Sequence, residues 1–250
     1  MSWVIPKTTD YTLKEGDSGI VVWALQKQCQ RRNIDVAADG VFGPGTVEAV
    51  KKLQQKLGVA VDGVAGPKTQ QTLTRDQTNR LQGLPEDLLW SVSSYESGGY
   101  LGAVNWNVAG GVDCGAMQRR VLEKDYHNDA VIQRAFDSGY QVPLAGRTLK
   151  DRHDAYVNRP GIWGNDETAW RTAVLYHNYP AMAEKISMVG VGNLSSYYTS
   201  PQKWVTVHKL TFPDGFPIVT PLQWGQHYSL GNAAHREPGQ AVKLVTDWSV

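Results

Sequence analysis

One eight-residue signature occurs twice in the chain. Asp39-Gly40-Val41-Phe42-Gly43-Pro44-Gly45-Thr46 returns 23 residues later as Asp62-Gly63-Val64-Ala65-Gly66-Pro67-Lys68-Thr69. Each copy is a Gly/Pro turn that ends in Thr and leads into helical spacing. Thr46 is placed to cap a helix carrying Val47, Val50, Leu53 and Leu57, of which Val50, Leu53 and Leu57 repeat at three and four residues. An earlier helix is predicted from Ile20 to Arg31, with Val21, Leu25, Gln28 and Cys29 on one face. A duplicated turn-plus-helix unit of this kind folds as a small bundle of short helices, whose core at about 60 residues is only marginally sufficient.

The rest of the chain differs in chemistry. Of nine Trp, seven lie after residue 76, and of eleven Tyr, ten do. Residues 1–75 carry more basic than acidic side chains and residues 76–250 the reverse. Two domains are expected, 1–75 and 84–250, joined by a polar linker at 76–83. The net charge of +1 lacks the basic excess of a nucleic-acid binder. Two cysteines cannot form a disulfide framework, and no apolar run is long enough to span a membrane. The start, MSWVIPKTTDYTLKEGD, shows no basic region followed by an apolar stretch, which suggests a soluble product of a reducing cytoplasm. No cofactor motif occurs, residues 1–80 hold no His, and the later His lack metal-ligand spacing. No metal or cofactor is expected, and a monomer is.

In the second part, Pro85 is predicted at the first position of a helix, with Glu86 and Asp87 in its first turn. Leu89, Val92 and Glu96 share one face, and Gly98-Gly99 ends the helix. Glu96 would then sit in the last turn, beside the apolar stripe. Burial and the negative end of the helix dipole both favour a protonated carboxyl there, the form a general acid needs. Leu101 to Asp113, with Gly110-Gly111 between Val and Trp residues, reads as a β-hairpin with Asp113 on or just beyond its return strand. A helical stretch with Val121, Leu122 and Tyr126 is expected next. Glu123 lies in a charged run and reads as surface. Trp106, Trp163 and Trp170 are candidates for stacking on sugar rings. Further on, Asp166 would cap a helix from Glu167 to Asn178, a segment would start at Pro180, further helices would start at Ser200-Pro201 and Pro221, and residues 240–248 would dock on the core.

These residues carry two resemblances. Leu13-x-x-Gly16-Asp17-x-Gly19, Val22-x-x-Leu25-Gln26, both Asp-Gly turns and Leu53-Gln54-x-x-Leu57-Gly58 together resemble the small helical peptidoglycan-binding domain of cell-wall hydrolases. The resemblance covers 13–75 and implies a three-helix module that binds peptidoglycan without catalysis. Asp39, Gly40, Phe42, Asp62 and Gly63 are its wall-binding candidates, with Phe42 as a surface aromatic and the turn glycines leaving backbone amides open.

Glu96-Ser97-Gly98-Gly99, then Asp113, Gly115 and Gln118, is similar to the lysozyme superfamily and to the soluble lytic transglycosylases; Tyr176-His177-Asn178-Tyr179-Pro180 resembles a later substrate-contacting turn of the latter, with His177 extra. The implied fold is mainly α, an α+β lysozyme-like domain with a small β-hairpin. The implied chemistry is cleavage of the β-1,4 bond between MurNAc and GlcNAc. Glu96 would be the acid, Asp113 a second catalytic carboxylate, and Ser97, Gln118, Tyr176 and Asn178 substrate contacts. Three outcomes stay open: a muramidase that uses water, a lytic transglycosylase that forms anhydro ends, or a wall-binding or virion-structural protein with an inactive lysozyme fold. The combination resembles modular bacteriophage endolysins. These would wait in the host bacterial cytoplasm and reach the periplasm and wall at lysis without inserting in a membrane. Tethering two weak sites to a repetitive polymer would raise effective concentration.

Overall fold

A computed structural model describes residues 2–7, 12–164, 166–178, 183, 184, 187 and 188. The elements expected from Ser200, Pro221 and residues 240–248, and most of the segment expected from Pro180, lie outside these residues. The chain divides into two compact units, residues 1–146 and 147–250.

The first unit begins with α1 (Ile20–Gln30), α2 (Pro44–Leu57) and α3 (Pro67–Asn79). The two copies of the signature precede α2 and α3. Each helix starts at the signature's proline, with Gly43 or Gly66 as the capping residue. Proline suits the first turn because its missing N–H has no intrahelical partner to lose there. Thr46 is therefore not the cap. Its side chain is buried and donates to the Val41 carbonyl (3.2 Å) inside the turn. The expected linker also changes, since α3 runs through residues 76–79 and the compact unit continues to Gly146.

After α3 come α4 (Leu88–Ser97), strands β1 (Val104–Val108), β2 (Gly111–Cys114) and β3 (Arg119–Leu122), a 3-10 turn at Glu123–Asp125, α5 (Asp129–Phe136) and α6 (Ser138–Tyr156). Two expectations are corrected here. Pro85 does not open α4. It precedes a turn, and Asp87 caps the helix with φ +57°, its carboxylate bound by Arg75 and Asn79. Residues 119–122 form a strand rather than a helix. The antiparallel sheet has order β1-β2-β3, pairing Val112 with Val121 and Asp113 with Arg120. The hairpin expected around Gly110-Gly111 is β1–β2.

Two hydrophobic cores organise the unit. One gathers Val22, Leu25 and Cys29 of α1, Val50 and Leu53 of α2 and Leu73 of α3, together with Phe42 and Leu101. The other gathers Trp3 and Ile5, Ile20 and Ala24 of α1, Val112 and Cys114 of β2, Val121 of β3 and Ile132, Ala135 and Phe136 of α5. Helix α1 belongs to both, which is why its sequence, IVVWALQKQCQ, is apolar around most of its first two turns. Ion pairs reinforce the union. Arg31 grips Asp137 with its two terminal guanidinium nitrogens (2.5 and 2.6 Å), and Arg32 meets Asp76 of α3 (2.7 Å). The three-helix bundle and the sheet beyond it are thus one packed body.

The second unit contains the end of α6 and α7 (Asp166–Asn178), which starts one residue before the expected Glu167. His153 lies between the carboxylates of Asp154 (2.9 Å) and Asp166 (2.8 Å) and stacks on Trp170 with ring centres 3.9 Å apart. Buried Tyr156 donates to Glu184 (2.9 Å), which Arg159 also binds.

Candidate functional site

The duplicated turns were expected to face the wall. Instead each is locked from within by a buried glutamine. Gln26 Nε2 donates to Asp39 Oδ1 (2.9 Å), the Val41 carbonyl (3.0 Å) and Thr46 Oγ1 (3.0 Å), and its Oε1 accepts from Gly40 N–H (2.8 Å). Gln54 repeats the pattern with Asp62 (2.7 Å), Val64 (2.9 Å), Thr69 (3.2 Å) and Gly63 N–H (2.9 Å). Asp39 and Asp62 also accept from the amides of Val41 and Val64 (both 2.9 Å). These amide bonds, and after them the glutamine bonds, hold both carboxyl groups below the usual aspartate range. The glycine amides expected to be open are therefore committed inside. Phe42 is fully buried in the first core, so it is not a surface aromatic. Turn residue though it is, its ring fills the space between α1 and α2, where complete burial of such a side chain stabilises by about 1.5–3 kcal/mol.

Glu96 occupies the last turn of α4, as expected, with Leu89 and Val92 buried on the same face and Glu96 itself half-buried. Gly98 ends the helix in the left-handed conformation, and Gly99 comes next at φ +75°. A side chain at Gly99 would meet the Trp90 ring at 2.5 Å, so the chain can turn sharply after Glu96 only with glycine there. The turn is held by α3: Thr74 donates to the Gly99 carbonyl (2.8 Å), Gln71 to the Gly98 carbonyl (3.2 Å), and Gln70 accepts from Leu101 N–H (3.2 Å).

Ser97, expected to touch substrate, is buried and internally engaged. Its hydroxyl lies 2.8 Å from the Ala116 carbonyl and 2.9 Å from the Ser93 carbonyl, and accepts from Gly99 N–H (3.0 Å). Ser93 donates to the same Ala116 oxygen (2.8 Å). These bonds bring the end of α4 onto the β2–β3 loop, Gly115–Gln118, uniting two pieces of sequence that the motif kept apart. Gln141 of α6, which the sequence did not flag, holds the loop from another side through Met117 N–H (2.9 Å) and the Cys114 carbonyl (3.0 Å). Gly115 has φ +75°, and a Cβ there would lie 2.5 Å from the Ala135 carbonyl. Gln118 is half-buried at φ +47° and donates to the Gly115 carbonyl (3.0 Å), so it shapes the loop it was expected to arm.

Asp113 lies on β2, opposite Asn105 of β1 and Arg120 of β3. Both of its carboxylate oxygens are taken by Arg120, Nε on one and Nη2 on the other (3.0 Å). Arg120 is the residue that sequence reading missed. Facing Asp113 across a strand pair, it could be found only once residues 119–122 were known to be β. An aspartate engaged in this way is a poor nucleophile, because attack would first have to break a bidentate ion pair.

Tyr176 and Asn178 belong to the second unit. Tyr176 lies under the Arg152 guanidinium, 3.9 Å from the ring centre, while the side chain of Asn178 lies outside the described residues. Of the aromatic candidates, Trp170 is core, Trp163 is 83% exposed, and Trp106 is partly exposed, its indole N–H on the Pro6 carbonyl (3.0 Å) and its edge against Tyr126. The described residues contain no cluster of metal-ligating side chains, and none of their helices is long and apolar enough to cross a membrane. Both cysteines are buried, and burial pushes each thiol up to about 12, so neither is a ready nucleophile.

With the geometry in place, comparison with known proteins adds one assignment. Residues 21–73 match the family described as peptidoglycan binding domain. The match spans α1, α2 and the first half of α3, the helices locked by the duplicated turns. The chain thus carries a peptidoglycan-binding module, which points to peptidoglycan as a partner and to a function at the bacterial cell wall. No curated protein matches the chain.

Proposed function

We propose that the chain is an endolysin-type muralytic enzyme that cleaves the β-1,4 bond between MurNAc and GlcNAc, with Glu96 as general acid. The observation that carries this reading is the pair of bonds from Ser93 and Ser97 to the Ala116 carbonyl, which joins the helix whose last turn carries half-buried Glu96 to the Gly115–Gln118 loop. Cleavage of a glycosidic bond needs a carboxyl group that gives its proton to the leaving oxygen, and Glu96 is the acidic residue at this helix end. The three-helix module supports the substrate assignment, since it fixes a wall polymer to the same packed body.

A second reading concerns the step after bond cleavage, and the Asp113–Arg120 pair favours it. If Asp113 is neutralised, Glu96 acts alone. After giving its proton to the leaving oxygen, its carboxylate removes the proton from the sugar's own 6-hydroxyl, which closes on C1 and leaves a 1,6-anhydro end. A water molecule taking that place leaves a reducing end, the muramidase outcome.

Glu96→Gln removes the transferable proton with little change in shape. Clearing of purified sacculi should fall by roughly 10²–10⁴-fold. A variant that clears as fast as the parent would remove Glu96 from the mechanism. Mass spectrometry of the released muropeptides separates anhydro from reducing ends. A parent protein that clears no sacculi at all would leave the wall-binding reading alone standing, with an inactive lysozyme-like fold.

A further inference from the structure

With the Gly40 and Gly63 amides engaged by Gln26 and Gln54, another face of the module is the better candidate for its ligand. One cavity of about 560 Å³ opens between the end of α2 and the outer face of α3. Leu57, Thr72 and Asn79 line it together with the charged Lys56, Arg75, Asp76 and Arg80. It is a shallow groove, broadly open to solvent. Its lining holds no aromatic ring on which a sugar could stack.

The charges around the cavity do not cancel. Arg75 is neutralised by Asp87, through Nε (2.9 Å) and Nη2 (2.6 Å). Asp76 is shared by two arginines, Arg32 at 2.7 Å and Arg80 at 3.0 Å, so that trio keeps one positive charge. Lys56, in the last turn of α2, has no acidic partner among the described residues and adds another. Two cationic groups therefore flank a groove that also presents a leucine and a threonine. The ion pairs fix the arginine planes before any ligand arrives, which lowers the ordering cost of binding. Arg80 remains 71% exposed while paired, so its guanidinium still faces incoming anions.

We propose that this cavity is the wall-binding site of the module, and that it takes the stem peptide of peptidoglycan: free carboxylates against Lys56 and Arg80, alanine methyl groups against Leu57 and Thr72. The proposal rests on the reading of residues 21–73 as a peptidoglycan-binding domain and goes beyond it by placing the site and choosing peptide over glycan.

The test uses the whole chain and sacculi stripped of teichoic acid, so that wall phosphates cannot supply the anion. Co-sedimentation gives the affinity of the parent, of Lys56→Glu/Arg80→Glu, and of a control with the same change in net charge on lysines elsewhere, Lys52→Glu/Lys124→Glu. Thermal unfolding checks that all three fold, and Lys56→Met/Arg80→Gln serves as a gentler pair if the reversal does not. The cavity variant should bind roughly tenfold more weakly or worse, because like charges now face the ligand, while the control stays near the parent. Parent binding should also weaken as salt rises from about 0.1 M to about 1 M and the Debye length contracts. Sacculi whose stem peptides have been removed by an amidase should lose the parent's binding. Equal binding by the folded cavity variant and the parent overturns the site. Undiminished binding to peptide-free glycan overturns the ligand. Failure of the parent to bind intact sacculi overturns the underlying wall-binding assignment instead.

Discussion

The duplicated turns before α2 and α3 and the Gly98-Gly99 turn after α4 are built from similar residues, yet they serve different ends. In the first pair, the buried polar groups of the motif turn inward: the Gly40 and Gly63 amides close on Gln26 and Gln54, and Phe42 and Ala65 enter the core. In the third, the neighbours of Glu96 turn inward, Ser97 to Ala116 and Gly99 to Thr74, while Glu96 itself stays half-exposed. A glycine-rich motif whose polar atoms all find partners within the fold is scaffold. The turn after α4 instead follows a half-exposed carboxyl at a helix end. The helices also align: Leu25-Gln26, Leu53-Gln54 and Leu73-Thr74 occupy equivalent places, and Thr74 grips the Glu96 turn where the glutamines grip the others.

The largest effect that would break this comparison is loss of a glutamine lock. Gln26→Leu or Gln54→Leu keeps the volume but strands a buried glycine amide and weakens the bonding of a buried threonine hydroxyl. Each unmet buried group costs about 1–3 kcal/mol, so urea unfolding should show a loss of about 3 kcal/mol or more for either variant. If the repeats are equivalent scaffolds, the two losses should agree within about 1 kcal/mol. A near-neutral Gln54→Leu would free the second turn for binding and restore the original wall-facing expectation for Asp62 and Gly63.

Acid should expose the same locks. The folded state holds Asp39 and Asp62 below the ordinary value of about 3.9. A depressed folded value means that the unfolded chain takes up protons first, so the contribution is complete above pH about 4 and is lost as pH falls through the folded values. Urea midpoints measured downward from pH 6 should therefore drop near the acid end, and Asp39→Asn/Asp62→Asn should drop less steeply. Parallel curves for parent and variant would mean that the carboxylates are not what ties the turns.

A smaller effect is expected at Asp113. Arg120 is 44% exposed, and surface pairs of that kind contribute about 0–1 kcal/mol, so Asp113→Asn should unfold within that margin of the parent. On sacculi it should keep activity within about tenfold of the parent, whereas Glu96→Gln should not. A collapse of activity in Asp113→Asn with stability intact would return Asp113 to the mechanism and favour water as the second reactant.

Much of this was legible. The period of apolar residues placed α1 to within one residue of its end, and Gly110-Gly111 marked the β1–β2 hairpin. What failed were features decided by partners far along the chain. Val121, Leu122 and Tyr126 fit a helical spacing as well as a strand, and only pairing with β2 decides between them. Phe42 sits in a turn where polar surroundings suggest exposure, yet its ring points into a core assembled from three helices. Trp3 and Ile5 complete the second core from a segment with no periodic pattern, and α1 faces two cores at once, which blurs its amphipathic signal. The division at 76–83 reflected a shift in composition, but packing across that stretch obeys Arg31–Asp137 and the shared α1. The module and the α4 turn both lie inside the compact unit 1–146.

Whether that unit holds as one body can be read from the two thiols, and the expected difference is almost nil. Cys29 lies in the first core and Cys114 in the second, each fully buried, each pushed up to about 12. At mildly alkaline pH almost no thiolate forms and no reagent reaches it, so alkylation must wait for opening of the surrounding structure. Opening the bundle core displaces Val22 and Leu25 of α1, and with them Ile20 and Ala24, which support the sheet core one turn away. The two cores should then open together. Mass spectrometry of iodoacetamide-labelled peptides in low urea should find the Cys29 and Cys114 rates equal within about twofold. Faster labelling of Cys29 by an order of magnitude would mean that the bundle melts alone, and the beads-on-a-string picture drawn from composition would be the better description after all.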